Sequence, residues 1–203
     1  EQPAEKELFD DNQSHIADFN SVIQFKNKYI LSPARSGLLI IDQHRAHVRV
    51  LFERYIEEVK ATTHATQSLI FPEVINLTPA QEIILNDIRP RLAEIGFDLA
   101  KINKGTWAIN GLPAITANSN PVELLSNIID TIATRGTDVK EEIERDIALS
   151  MAKSTAIKSG QSLSAEDMEH LMSDLFSLST PTYTPDGLLV LKIIDTETLI
   201  RSF

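Results

Sequence analysis

Residues 38–53 read LLIIDQHRAHVRVLFE. Four apolar residues ending in two isoleucines make a short strand, and the run stops at Asp42. Beyond it Ala46, Val50, Leu51, Tyr55, Ile56 and Val59 recur at helical spacing, with Arg45, Arg49, Glu53, Glu57 and Glu58 between them. The stretch delivers a carboxylate and two imidazoles (Asp42, His44 and His47) to a strand–helix junction, where metal and active sites are often built. The same residues have a plain structural use. Asp42, directly before a helix, is placed to cap it, and His44 and His47 then serve as polar residues of the first turns, one bonding a carboxylate.

Working outward, VIQFKNKYIL (22–31), the turn segment SPARSG (32–37) and LLIID (38–42) read as one β-hairpin. Its second arm is apolar from Leu38 to Ile41 and is expected to be buried on both faces. Downstream, after a break at ATTHATQ, come a short segment Ser68–Phe71 stopped by Pro72 and a strand Val74–Leu77. Thr78-Pro79-Ala80-Gln81 is a helix start, with Thr at the N-cap, Pro first and Gln third. That helix is expected to reach Ile95 and stop at Gly96, disturbed near Pro90. Phe97–Ile102 and Thr106–Ile109 form a hairpin about Asn103-Lys104-Gly105. Three helices follow: Asn120 to Ile132, Val139 to Ser159, and from the cap at Ser164 to Phe176. A turn TPTYTPDG, a strand LLVLKII and a short helical tail close the chain. The layout is α+β with mixed order, and residues 1–21 read as a linker remnant.

Composition narrows the function. With 203 residues there is room for one sizeable domain or two small ones. A net charge of −10 argues against a large nucleic-acid footprint, because phosphate contacts need clustered Lys and Arg. No cysteine is present, so disulfides and thiolate ligands are excluded. Apolar runs are too short to span a membrane. The seven glycines are scattered and build no phosphate-cradling loop, so no ATPase is expected within the chain.

Four segments, in order, resemble the C-terminal dimerization domain of the MutL family of DNA mismatch repair proteins. They are GLLIIDQHRAHVRVLFERY (37–55), QSLIFPEVINLTPAQ (67–81), AIKSGQSLSAEDMEHLMSDLF (156–176) and TPTYTPDGLLVLKI (180–193). The resemblance covers about Val22 to Phe203. It implies two subdomains: a discontinuous dimerization subdomain from 22–64 and 145–203, and an external regulatory subdomain from 65–144. It also implies a homodimer, and a sliding-clamp-docking motif at Gln67, Leu69, Ile70 and Pro72. From the pattern alone an ordinary edge strand with internally packed apolar residues is the favoured reading; its position after the first helix, where the family carries the motif, turns the expectation to clamp docking. Other mismatch repair proteins are further implied partners, with little direct DNA binding and a cytoplasmic location.

Nuclease-competent members of that family carry a DQHA segment, two following glutamates, and Cys or His in two later elements. Such a set binds a divalent metal that activates water against a phosphodiester. Here Asp42, Gln43, His44 and Glu53 remain, but Arg45 replaces the Ala and Val48 stands in place of the first Glu. Lys153 aligns with a ligand Cys, and Thr184-Pro185-Asp186-Gly187-Leu188-Leu189 with Cys-Pro-His-Gly-Arg-Pro. The motif is degenerate, so no metal, no cofactor and no enzymatic activity are expected. The alternative is a metal-dependent nicking endonuclease with an altered ligand set of Asp42, His44, Glu53 and Asp186.

Overall fold

The computed structural model describes residues 21–61, 64–135 and 140–203, so all but the last residue of the expected linker lies outside it. In chain order the first elements are β1 (Ile23–Phe25), β2 (Tyr29–Ala34), β3 (Gly37–Asp42), α1 (Gln43–Lys60), β4 (Thr66–Asn76) and α2 (Pro79–Ile95). Then come β5 (Asp98–Asn103), β6 (Thr106–Pro113), α3 (Pro121–Arg135), α4 (Lys140–Thr155), α5 (Ala165–Phe176), β7 (Leu191–Asp195) and α6 (Thr196–Arg201). The fold is α+β with antiparallel sheets, and the chain divides into two compact units. One gathers the described residues up to Val50 with Ile157–Phe203; the other is Leu51–Ala156.

The first unit is built on a sheet of order β1-β2-β3-β7, every pairing antiparallel. Two hairpins replace the single one expected. Lys26 and Asn27 both adopt left-handed backbone, φ 52° and 48°, and Lys28 N–H donates to Phe25 O at 3.2 Å. Two left-handed central residues match the twist of flanking strands, which makes a tight turn without the glycine that usually marks one. Pro33 lies within β2 opposite Leu38, so the second turn is only Arg35 and Ser36.

Burial alternates along β3 and is not continuous. Leu39 and Ile41 are fully enclosed, whereas Leu38 and Ile40 are only half-buried. The reason is a one-sided core: Ala46 and Val50 of α1 with Met168, Leu171, Met172, Leu175 and Phe176 of α5 pack with Ile30, Leu39, Ile41 and Leu191. Cross-strand partners share a face. The register Ile23↔Leu31↔Ile40, with Leu38↔Ile194, therefore sets these apolar side chains and Phe25 on the opposite face. Gly37 is required where β3 and β7 meet, since a Cβ there would collide with the backbone oxygen of Ile194.

In the second unit the sheet order is β4-β6-β5. Leu85, Ile88, Leu92 and Ile95 of α2, Trp107, Ile109 and Leu112 of β6, and Leu124, Ile128 and Ile129 of α3 are buried. The start of α2 follows its sequence signature, with a reciprocal capping box between Thr78 and Gln81. Gly96, at φ 108°, ends it by the left-handed route. Pro90 does not break the helix, which runs on to Ile95. Arg91, one turn from the end of α2, donates to Val59 O at 2.7 Å and pairs with Glu144 at 2.8 Å, tying α2 to α1 and α4. Among the described residues no helix is long and apolar enough to cross a membrane.

Candidate functional site

The strand–helix junction comes first. Asp42 is buried and acts as the cap of α1: its Oδ1 accepts from Arg45 N–H at 3.1 Å. The other oxygen faces the Arg45 guanidinium at 3.7 Å, and that guanidinium also donates to Leu189 O at 2.8 Å. The two histidines share one backbone partner: His44 Nδ1 donates to Ile157 O at 2.7 Å, and Ile157 N–H donates to His47 Nδ1 at 2.9 Å. Since a carbonyl only accepts and an amide N–H only donates, His44 carries its proton on Nδ1 and His47 lacks one there.

Gln43, which the sequence offers only as part of a degenerate motif, is a structural residue. It is fully enclosed, and its amide donates to Asn27 O and Gln161 O, each at 2.9 Å, while accepting from Gln24 at 2.7 Å. Three segments separated by up to 137 positions meet at this side chain, a placement no local pattern encodes. Asp186, the remaining ligand candidate of this unit, accepts from Thr184 Oγ1 at 2.6 Å inside its own turn. Glu53 sits half-buried on α1 in the second unit. In that unit Lys153 lines a cleft of about 390 Å³ with Asn127, Asp130, Thr131, Leu149 and Ser150.

The outer sheet face of the first unit is the second feature. Ile23 and Phe25 are 61% and 48% exposed, and Leu31, Leu38, Ile40 and Ile194 are half-buried beside them. The third feature is on β4, an edge strand that is continuous where the sequence suggested two segments. Ser68 pairs with Gly111 and Glu73 with Ile109, so Leu69-Ile70-Phe71-Pro72 stand opposite Asn110 alone. Surplus residues on one strand must leave the ladder. Ile70 and Phe71 are consequently 90% and 82% exposed; Gln67 and Pro72 are exposed too, and Leu69 is half-buried.

Comparison with known proteins decides the family. Residues 22–163 match the model for the MutL C terminal dimerisation domain. The chain belongs to this family. It is 42% identical over 184 residues to the DNA mismatch repair protein MutL of Parabacteroides distasonis, covering 91% of the chain and 30% of that protein. It is 42% identical over 181 residues to the MutL of Bacteroides fragilis, covering 89% and 29%, and 35% identical over 195 residues to that of Prosthecochloris aestuarii, covering 96% and 31%. The chain thus spans about three-tenths of the length of these relatives.

Against the metal-binding pattern of nuclease-competent MutL domains, the donor set here does not fit a divalent ion. Arg45 supplies a cation beside the Asp42 carboxylate, which opposes a second positive charge. Both Asp42 oxygens face Arg45, one its backbone N–H and the other its guanidinium, and no group of three or more His, Asp or Glu side chains converges on one point among the described residues.

Proposed function

We propose that this chain is a non-enzymatic assembly module of a DNA mismatch repair protein. It forms a homodimer through the first unit and docks on the DNA polymerase sliding clamp through the second. The observation that carries the first half is the outer face of the β1-β2-β3-β7 sheet, where Ile23 and Phe25 are exposed and Leu31, Leu38, Ile40 and Ile194 half-buried, while the core with α1 and α5 lies on the other face. Four strands at about 4.8 Å spacing and six residues at about 3.3 Å rise give a footprint on the order of 400 Å². Such a footprint is the apolar centre of a standard interface of about 800 Å² per partner. An open antiparallel face of Ile, Leu and Phe is costly in water and is matched by a copy of itself across a two-fold axis.

The clamp half rests on the QSLIFP segment, Gln67 to Pro72, projecting from a sheet edge with Ile70 and Phe71 in water. An extended, partly preorganised segment loses little freedom on entering an apolar pocket. The module is further proposed to tether ATPase domains of the longer protein that carries it and to work in the cytoplasm with other repair proteins.

The dimer reading is tested by analytical ultracentrifugation of the protein and its Leu31→Glu and Ile40→Glu variants, with circular dichroism as the check on folding. Wild type is expected to sediment as a dimer at low micromolar concentration, and each folded variant as a monomer. A folded Leu31→Glu/Ile40→Glu double variant that stays dimeric refutes the assignment of this face.

A further inference from the structure

We infer that the docking segment is anchored by the adjacent pair Ile70 and Phe71, with Phe71 as the principal anchor and Leu69 as a pivot that belongs to the fold. The inference rests on the clamp-docking reading and assigns its specificity-determining side chains. The motif comparison puts Leu69 and Ile70 in that role; the strand geometry divides them differently. In a regular strand neighbouring side chains point to opposite faces, so Ile70 and Phe71 could not both face water. They do so here because β4 spends four residues where β6 spends one, lifting the crest of the excursion out of the ladder. Leu69, at the base of the excursion directly after the paired Ser68, is half-buried. Only Ile70 and Phe71, at 90% and 82% exposure, hold apolar surface that a partner can take wholly out of water.

Two features keep the crest in place. Gly111 opposes Ser68, and a Cβ there would sit 2.8 Å from Thr66 Cγ2 and 3.1 Å from Gln67 O, so the base of the excursion needs glycine to close. Pro72 has no N–H and cannot re-pair with β6, which holds off the straight register that would return Phe71 to the sheet. A rigid phenyl ring carries more apolar area than a leucine and loses fewer rotamers on binding, which is why aromatic residues dominate such anchors. The partner chemistry is an apolar pocket wide enough for a phenyl ring beside a smaller aliphatic subsite.

The experiment measures binding of the protein to the purified cognate sliding clamp by surface plasmon resonance. It uses wild type and the Leu69→Ala, Ile70→Ala and Phe71→Ala variants, with thermal unfolding of each. Phe71→Ala is expected to weaken binding by about thirtyfold or more and Ile70→Ala by about tenfold, with unchanged midpoints. Leu69→Ala is expected to lower the unfolding midpoint while changing affinity less than about threefold. Loss of binding in Leu69→Ala with binding retained in Phe71→Ala overturns the anchor assignment and leaves clamp docking standing. A wild-type protein that does not bind the clamp overturns both.

Discussion

Replacing Gln43 by Met, which keeps length and removes every hydrogen-bonding atom of the side chain, tests whether the junction motif is retained for architecture. Three hydrogen bonds are lost: two donated by the amide to Asn27 O and Gln161 O, and one accepted from Gln24. At about 1 kcal/mol each the loss would be about 3 kcal/mol. Two carbonyls keep a second donor, however, since Gly160 N–H reaches Asn27 O at 3.0 Å and Gln24 Nε2 reaches Gln161 O at 2.9 Å. Neither is orphaned, which brings the expected cost down to about 2 kcal/mol. For a chain of this length that is a fall in unfolding midpoint of about 4–8 °C. Trp107 lies in the second unit, so its fluorescence is the wrong probe; far-ultraviolet circular dichroism in urea, with hydrogen exchange of the β1–β2 hairpin, reads the right one. A double-mutant cycle with Gln24→Met should show about 1 kcal/mol of coupling. A loss below about 0.5 kcal/mol, or strict additivity with Gln24→Met, refutes the idea that Gln43 is a structural hub.

Two further outcomes are expected. Titrating Mn²⁺ into metal-stripped protein by calorimetry should show no saturable heat at micromolar concentration; binding that disappears in Asp42→Asn would show that the junction still holds a cation despite Arg45. In acid, Asp167 and Asp195 should both lose their contribution to stability as pH falls. The Ser164 hydroxyl and backbone N–H hold the Asp167 carboxyl below its ordinary range, and the backbone and side chain of Thr198 do the same for Asp195. The unfolded chain takes up those protons first, so this stability is fully present above the unfolded value near pH 4 and fades below it. Urea unfolding followed from about pH 5 to pH 3 should accordingly be flatter in an Asp167→Asn/Asp195→Asn variant, and an unchanged slope would contradict the capping account.

What could be read in advance depended on how far apart the cooperating residues lie. Thr78 with Gln81, and Ser164 with Asp167, are three positions apart, and both capping boxes formed where their spacing put them. Gly96 and Gly105 likewise ended a helix and turned a hairpin through positive φ, a property of single residues. The turn at Lys26-Asn27 escaped because neither residue is a glycine, although asparagine tolerates the left-handed region. Leu38 and Ile40 were misjudged because an apolar run does not say how many faces of a sheet are covered, which depends on α5 more than 120 positions away. The β4 excursion was invisible for the same reason: a register break is a relation between two strands, and Leu69–Pro72 look ordinary until counted against Asn110. At the junction the Asp42 cap is local and follows from its place before the helix, but the partners of Gln43, His44 and Arg45, namely Gln161, Ile157 and Leu189, come from the far end of the chain.

That same separation governs how the protein emerges from the ribosome. β3 finds its outer neighbour in β7, where Ile41 pairs with Leu191, 150 positions later. At about 5–20 residues per second, roughly 8–30 s pass between synthesis of the two strands. Throughout that interval the Leu38–Ile41 edge is a bare row of amides and carbonyls on an apolar strand, the kind of template that captures other nascent chains. Production of this domain should therefore respond to translation speed and to chaperones that shield strand edges, and a late truncation before Leu191 should cost far more than its few missing residues suggest.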